Sequence, residues 1–257
     1  MMAAQNAIVP FIRRTRPGQP AVIFVEGFPG LGKTSQAQKI VLHLSAHGYR
    51  TRWVAELDIP HPITGDRMLR EMDTQTWATA ALMADTLERW RALGEALRRD
   101  GEVLVLEASL LQMCVGKLHQ MDVERDTILA YLDDALGGLA GIHTYLIYLY
   151  HGDWPSAFRT TLRLRGRAFR RDHLRQLPRF PYLERRGLRG IRGLLAYSRS
   201  LEALYDEAMA HPRLVSFKMD TTQRDWAAID GQLRALLGVG GTPPPPRGPA
   251  RRGVAPG

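Results

Sequence analysis

The chain has 257 residues, of which 45% are hydrophobic, with a formal net charge of +9 and a single cysteine. This length and composition predict one folded domain with a substantial core, and one cysteine excludes an internal disulfide. No apolar run approaches the ~18 residues that a membrane span needs, and no secretion signal is recognisable, so we expect a cytoplasmic protein that contacts no membrane.

The two ends of the chain differ in composition from its middle. Residues 1–19 combine prolines and arginines without a hydrophobic period, which predicts a flexible basic arm. Residues 239–257 are dominated by proline and glycine, which predicts a disordered tail. The folded domain is therefore expected to span residues 20–238.

The first motif of the domain is a glycine-rich loop. An apolar run over residues 21–25 predicts a buried strand, and Gly-Phe-Pro-Gly-Leu-Gly-Lys-Thr follows it in the form G-x-x-x-x-G-K-T. Beyond Thr34, apolar residues recur every three or four positions, which predicts a helix that ends at Gly48. A strand, a glycine loop and a helix in this order form the frame of a phosphate-binding loop.

This loop predicts a site for ATP and Mg²⁺. Its backbone N–H groups would surround a polyphosphate at the positive end of a helix. Lys33 would contact the β- and γ-phosphates, and the Thr34 hydroxyl would bind Mg²⁺. The residues expected to bind ATP are Gly27, Phe28, Pro29, Gly30, Leu31, Gly32, Lys33, Thr34 and Ser35.

Acidic residues follow two further predicted strands. The strand at residues 51–55 leads to Glu56 and Asp58, and the strand at residues 102–106 leads to Glu107. Glu107 is expected to help bind Mg²⁺, because P-loop proteins commonly place an acid at this position. Glu56 is expected to orient the acceptor hydroxyl in phosphoryl transfer, with Asp58 as the competing residue.

Helical and strand-like patterns alternate along the rest of the domain. Helical periods run over residues 74–99, 109–139, 194–209 and 225–237, and strand-like runs over residues 144–150 and 213–218. Strands that alternate with helices at crossover length predict an α/β fold, with a parallel sheet between two layers of helices.

The positive charge is concentrated in one segment. From Arg159 to Arg192 the chain has twelve arginines and two acidic residues. The net charge of this segment, +10, is greater than the net charge of +9 of the whole chain. We interpret this segment as a lid over bound phosphates, with an exposed arginine-rich helix as the alternative. Arg163, Arg165 and Arg167 are expected to act in catalysis by neutralising charge on the γ-phosphate, a role worth about 10³–10⁵ in rate.

The opening of the domain resembles the thymidylate kinase and deoxynucleoside kinase group. The similar residues are Val25-Glu26-Gly27 and Gly32-Lys33-Thr34-Ser35-Gln36, followed by Leu42, Leu44 and Gly48. The resemblance implies a three-layer P-loop NTPase fold, with a five-stranded parallel sheet and helices on both faces. It also implies ATP with Mg²⁺ and an arginine-rich lid after the fourth strand, where Arg159 to Arg167 lie.

Two positions depart from the pattern of this group. Glu107-Ala108-Ser109 stands where thymidylate kinases have Asp-Arg and deoxynucleoside kinases have Glu-Arg-Ser. Pro29 stands where thymidylate kinases usually have an acid. The arginine of the group helps to hold the acceptor or its phosphate, so its replacement by alanine favours an uncharged alcohol as the acceptor.

These observations predict an ATP-dependent phosphotransferase that moves the γ-phosphoryl of ATP to a hydroxyl of a nucleoside-like or antibiotic-like small molecule. The open alternatives are a nucleoside monophosphate kinase, a polynucleotide-end kinase and a non-catalytic ATP-binding regulatory protein. The localised charge favours ATP over nucleic acid as the partner of the arginines. A homodimer is an open alternative to a monomer. The eight histidines show no metal-ligand spacing and receive no role.

Overall fold

The computed structural model describes residues 10–65, 68, 79–167, 171 and 180–240. The predictions for residues 1–9 and 241–257 lie outside these ranges, as does the start of the helix expected from residue 74. In this part of the chain, no helix combines the length and the apolar character that a bilayer crossing needs. The division of the chain into an arm, a domain and a tail stays a prediction.

Parallel strands form the centre of the fold. They are β1 (Ala21–Gly27), β2 (Thr51–Val54), β3 (Val103–Glu107), β4 (His143–Tyr150) and β5 (Val215–Asp220), in the spatial order β2-β3-β1-β4-β5. All seven residues of β1 are buried, because the strand lies between β3 and β4 and is covered on both faces. The predicted five-stranded parallel sheet is confirmed.

Helices precede, connect and follow the strands. They are α1 (Phe11–Arg14), α2 (Lys33–Ala46), α3 (Thr79–Asp100), α4 (Gly116–Gln120), α5 (Arg125–Gly138), α6 (Trp154–Leu164), α7 (Pro181–Arg185), α8 (Gly190–Met209) and α9 (Trp226–Leu237). A π-helical segment (Leu111–Val115) leads directly into α4. Acidic caps fix two of the helix starts: Asp153 accepts the N–H of Ser156 at 3.1 Å, and Asp225 accepts the N–H of Ala228 at 3.0 Å.

Two groups of helices cover the sheet. α2 packs on β1, β2 and β3 and contacts α9, whereas α8 contacts α5 and the π-helical segment, and α3 contacts α5. Trp90 of α3 is fully buried and meets Phe24 of β1 edge-on, with the ring centroids 5.9 Å apart. The chain therefore has the three-layer α/β architecture of a P-loop protein.

The register of the sheet brings several loops together. Val25 of β1 lies opposite Glu107 of β3, and Val54 of β2 lies opposite Leu106 of the same strand. The loops that follow β1, β2 and β3 therefore open at one edge of the sheet. In open parallel sheets this edge is where ligands bind.

Part of the stretch expected to be a loose arm is packed instead. Phe11 of α1 is 2% exposed, and its ring lies 4.9 Å from that of Tyr145 and 5.6 Å from that of Tyr49. The Tyr49 hydroxyl donates to the carbonyl oxygen of Thr15 at 2.6 Å. Residues 10–15 are therefore held on the core by the buried ring of Phe11 and the hydrogen bond to Thr15, whereas residues 16–19 are exposed.

Candidate active site

The phosphate loop connects β1 to α2, and glycines with positive φ give it its shape. Gly27, Gly30 and Gly32 have φ of 137°, 86° and 90°, values that residues with a Cβ rarely adopt. A Cβ on Gly27 would overlap the carbonyl oxygen of Leu149 on β4. Gly32 is the N-cap of α2 and has no side chain to compete for the N–H groups of the first turn. Of the remaining residues expected in the loop, Leu31 is buried, and Ser35 is exposed in that turn.

Lys33 is the first residue of α2, and its side chain folds back onto the loop. Its Nζ donates to the carbonyl oxygen of Gly27 at 2.9 Å, and the residue is only 7% exposed. Burial lowers the pKa of Lys33. Three carboxylates act in the opposite direction, in decreasing order those of Glu56, Glu26 and Glu107. Lys33 is therefore surrounded by acids from the ends of three neighbouring strands.

Thr34 and Glu107 meet beside the loop. The Thr34 hydroxyl donates to Glu107 Oε1 at 2.6 Å, and Glu107 Oε2 is buried without a hydrogen-bond partner among the described residues. These oxygen atoms fit Mg²⁺, which prefers oxygen ligands and usually takes the rest of its shell from waters and substrate phosphates. Within the same residues, no group of three or more acidic, histidine or cysteine side chains could hold a metal by itself.

The structure separates the two acids that follow β2. Glu56 is half-buried, and its Oε1 accepts a hydrogen bond from the side-chain amide of Gln112. Asp58 is exposed, and its Oδ2 accepts the backbone N–H of Ala55 at 2.8 Å. Asp58 therefore closes its own turn, and Glu56 is the acid that faces the site.

A cavity of about 180 Å³ opens next to the phosphate loop. The loop contributes Gly27, Phe28 and Pro29, and Glu56 lies at the cavity as well. Met113, Leu194 and Leu201 add an aliphatic part to its lining, and the other side chains that shape it are aromatic or polar. They are Trp154, Phe158, Tyr197, Tyr205, Gln112, Lys117, Gln120 and Ser198. The cavity therefore has aromatic walls and a polar region that includes a carboxylate.

Lys117 is a cavity residue that no sequence pattern indicated. It belongs to α4, is half-buried, and donates from Nζ to Gln120 Oε1 at 3.0 Å. Burial lowers the pKa of Lys117, and the negative charge of Glu56 partly opposes this effect. Because Lys117 has no motif around it, only the fold shows that it belongs to the site.

Helix α6, which includes the first residues of the arginine-rich segment, lies against the phosphate loop. Trp154 stacks on Phe28 with ring centroids 4.2 Å apart and an angle of 21° between the rings. The Thr161 hydroxyl donates to the carbonyl oxygen of Pro29 at 3.2 Å, and a Cβ on Gly30 would overlap this hydroxyl. The helix is thus fastened to the loop at both of its ends.

The three arginines expected in catalysis lie at and beyond the end of α6. Arg163, Arg165 and Arg167 are exposed. The positive charge of Arg165 is the smallest of the causes that act on the pKa of Lys33, and it lowers that pKa. The catalytic roles of the three arginines stay predictions.

Glu26 is another residue near the phosphate loop for which the sequence predicted no role. Its carboxylate is fully buried and accepts the backbone N–H groups of Leu110, Leu111 and Gln112. Burial raises the pKa of Glu26 to about 7, although these N–H groups and the charge of Lys33 act to lower it. The sequence places Glu26 next to Gly27, but it does not indicate the backbone N–H groups that the carboxylate binds.

The segment after β3 is enclosed by the loop that follows β2. His61 is buried, and its Nδ1 accepts the N–H groups of Ile63 at 3.1 Å and Thr64 at 3.0 Å. Its Nε2 lies 3.3 Å from the Ser109 hydroxyl. Burial lowers the pKa of His61 to about 4, so the ring is neutral at pH 7. Ala108, the position that departs from the kinase pattern, is fully buried with φ of 55°.

No protein-family model matches the chain, and no curated protein matches it in sequence. Two solved structures are similar to it in fold. The first is a thymidylate kinase from Candida albicans, with 14% identity and a TM-score of 0.46, covering 83% of this chain and 92% of that one. The second is a thymidylate kinase from Ehrlichia chaffeensis, with 10% identity and a TM-score of 0.47, covering 86% of this chain and 99% of that one. The sheet order and the phosphate loop, rather than these neighbours, define the fold of the chain.

The fold brings most of the predicted site residues to one edge of the sheet. Lys33, Thr34, Glu56 and Glu107 lie around the phosphate loop, and the charge of Arg165 has a small effect on the pKa of Lys33. The sequence did not indicate Gln112, Lys117 or Glu26, which reach the site from the segment after β3 and from the end of β1. Their chemical roles, like those of the predicted residues, are proposals.

Proposed function

We propose that the chain is an ATP-dependent phosphotransferase that moves the γ-phosphoryl of ATP to a hydroxyl of a small molecule. One observation carries the proposal: the same cavity is lined by Gly27, Phe28 and Pro29 of the phosphate loop and by Glu56. Phosphoryl transfer depends on holding the donor and the acceptor next to each other, and an acceptor bound in this cavity would lie next to ATP bound at the loop. A regulatory ATPase has no need of an acceptor cavity beside its loop.

The donor would be held by the loop and by two side chains. The N–H groups at the start of α2 and the Lys33 ammonium would bind the phosphates of ATP. Thr34 and Glu107 would hold Mg²⁺, which when bound supplies positive charge to the phosphate oxygens. Arg165, whose charge has a small effect on the pKa of Lys33, would add positive charge from the end of α6.

The acceptor would be oriented by Glu56. Its carboxylate is half-buried at the cavity and is held by the amide of Gln112. A carboxylate in this position would accept a hydrogen bond from the acceptor hydroxyl and receive its proton as the new bond to phosphorus forms. The aromatic walls formed by Trp154, Phe158 and Tyr197 favour an acceptor with a flat or apolar body.

A second candidate acceptor is a nucleoside monophosphate, and Lys117 is the observation that favours it. Lys117 supplies a cation to the cavity, and its ammonium group would bind the phosphate of such an acceptor. Against it stands Ala108, which replaces the arginine of the related pattern and contributes no charge. We therefore place the uncharged alcohol first.

The test is ADP release by the purified chain with ATP, Mg²⁺ and a panel of acceptors. The panel contains nucleosides, hydroxylated antibiotics, nucleoside monophosphates and a short oligonucleotide with a free 5′-hydroxyl. We expect acceptor-dependent ADP release that is largest with an uncharged alcohol, and loss of this activity in Glu56→Gln. ADP release that no acceptor stimulates would contradict the proposal and favour a regulatory ATPase.

A further inference from the structure

The carboxylate of Glu26 joins the end of β1 to the start of the helical segment after β3. Its Oε1 accepts the N–H groups of Leu110 at 2.7 Å and Leu111 at 3.1 Å, and its Oε2 accepts the N–H group of Gln112 at 3.1 Å. The side chain is fully buried, so these bonds replace the water that a carboxylate otherwise needs.

Gln112 continues this connection to the cavity. Its backbone N–H is bound to Glu26, while its side-chain Nε2 donates to Glu56 Oε1. Gln112 and Glu56 both line the cavity beside the phosphate loop, whereas Glu26 is not one of the residues that line it. Any effect of Glu26 on the acceptor must therefore pass through another residue.

We propose that Glu26 is a positioning residue: by holding the backbone of Gln112, it fixes the amide that orients Glu56 toward the acceptor hydroxyl. This inference rests on the role of Glu56 in the proposed function. The two oxygens of Glu26 have different partners: Oε1 accepts the N–H groups of Leu110 and Leu111, and Oε2 accepts that of Gln112. The connection thus runs from the strand that carries the phosphate loop to the acid that follows β2.

The test compares two variants that break the connection at different points. Glu26→Gln keeps the size of the side chain but replaces one oxygen with an NH₂ group, so at least one N–H loses its acceptor. Gln112→Leu removes the side-chain amide and keeps the backbone N–H. Each variant is expected to lower kcat about 10- to 100-fold, with the KM for ATP changed less than about threefold. The double variant should lose no more than the worse single variant, because both changes break the same connection.

Glu102→Gln is the matched control. Glu102 lies just before β3, at the opposite end of the strand from Glu107, and is 9% exposed. Its Oε1 accepts a hydrogen bond from Arg52 Nη2 at 2.8 Å. This control should lower the Tm and leave kcat unchanged. If Glu26→Gln behaves in the same way, Glu26 serves stability alone and the proposal is overturned. Losses in kcat that multiply in the double variant overturn it as well.

Two further outcomes decide the matter. If Glu26→Gln does not fold, Gln112→Leu decides alone, and wild-type kcat in that variant overturns the proposal. If the wild-type chain is inactive with every acceptor, the proposed function fails and this inference fails with it. An active wild type with an unaffected Glu26→Gln variant overturns only the positioning role.

Discussion

Thr34 and Glu107 lie 73 positions apart in the chain and share a hydrogen bond of 2.6 Å. The parallel register of β1 and β3 makes this contact, since it places Glu107 opposite Val25 at the end of the strand that leads into the phosphate loop. The contact joins a hydroxyl and a carboxylate, the two kinds of group that a magnesium ion accepts beside a triphosphate.

Lys33→Met is expected to lower phosphotransfer at least about 100-fold, because it removes the cation that we propose binds the phosphates of ATP. Methionine keeps most of the volume of the buried side chain, so the Tm should change little. The measurement is ADP release together with thermal unfolding. Lys39→Met, which removes a partly exposed lysine that binds Asp230 at 3.1 Å, is the control and should stay active. Full activity in Lys33→Met would refute the enzyme assignment.

Thr34→Val should raise the Mg²⁺ concentration needed for half-maximal activity. The change keeps the shape of the side chain and removes the hydroxyl that binds Glu107. Thr34→Ser, which restores a hydroxyl, should recover the wild-type Mg²⁺ dependence. The measurement is activity across a Mg²⁺ titration at fixed ATP. An identical titration curve in all three proteins would show that Thr34 takes no part in metal binding.

Lys117→Met should distinguish the two classes of acceptor. If the acceptor carries a phosphate, loss of this ammonium removes a charge-assisted hydrogen bond of about 1.5–3 kcal/mol, which corresponds to a rise in KM of about 10-fold or more. If the acceptor is an uncharged alcohol, the KM should change far less. The measurement is KM for the best nucleoside and the best nucleoside monophosphate, with the KM for ATP as the internal control.

Gly30→Ala should lower both activity and stability, because the added Cβ would overlap the Thr161 hydroxyl on α6. Thr161→Ala removes that hydroxyl and should recover part of the loss in the double variant. Recovery will be incomplete, since a φ of 86° strains any residue with a Cβ. The measurements are kcat and Tm for the two single variants and the double variant. Purely additive effects would show that α6 does not press on the loop.

His61→Asn should make the free energy of unfolding less dependent on pH below neutrality. Burial lowers the pKa of His61 from 6.5 to about 4, so between these pH values the unfolded chain binds a proton that the folded chain does not. Its contribution to stability is therefore complete above about pH 6.5 and is lost as the pH falls toward 4. The measurement is urea unfolding from pH 7 to pH 4.5 in both proteins.

A second histidine provides the comparison for this prediction. Burial and the charge of Arg186 lower the pKa of His119 to about 4 as well. His119→Asn should therefore remove a similar share of the pH dependence, and the two changes should add in the double variant. A wild-type pH profile in His61→Asn would show that the pKa of His61 is the same in the folded and the unfolded chain.

The strands and the phosphate loop could be predicted because their signals are local. β1 and β3 are buried on both faces, so they are continuous apolar runs, and the loop has a motif with fixed spacing. Helix α8 begins at Gly190, four residues before the expected start at residue 194, since its first turn lacks an apolar period. Local signals therefore located elements well and their ends less well.

The rest of the site could not be predicted because it depends on contacts between distant segments. Gln112 reaches Glu56 across 56 positions, and Glu26 reaches Leu110 across 84. Lys117 lies in a short helix whose sequence has no recognisable motif. Phe11 packs on the core through a single aromatic ring, for which no periodicity exists. Such side chains acquire their partners only when the sheet is assembled.

The burial of Ala108 restricts which side chains this position can take. Ala108 is fully buried between the end of β3 and the helical segment held by Glu26, so a longer side chain would have to displace neighbouring atoms. Placing an arginine here by one substitution would force a long cation into packed protein, at a cost of order 1–3 kcal/mol or more. A cation at this position therefore requires a second change that opens space around it.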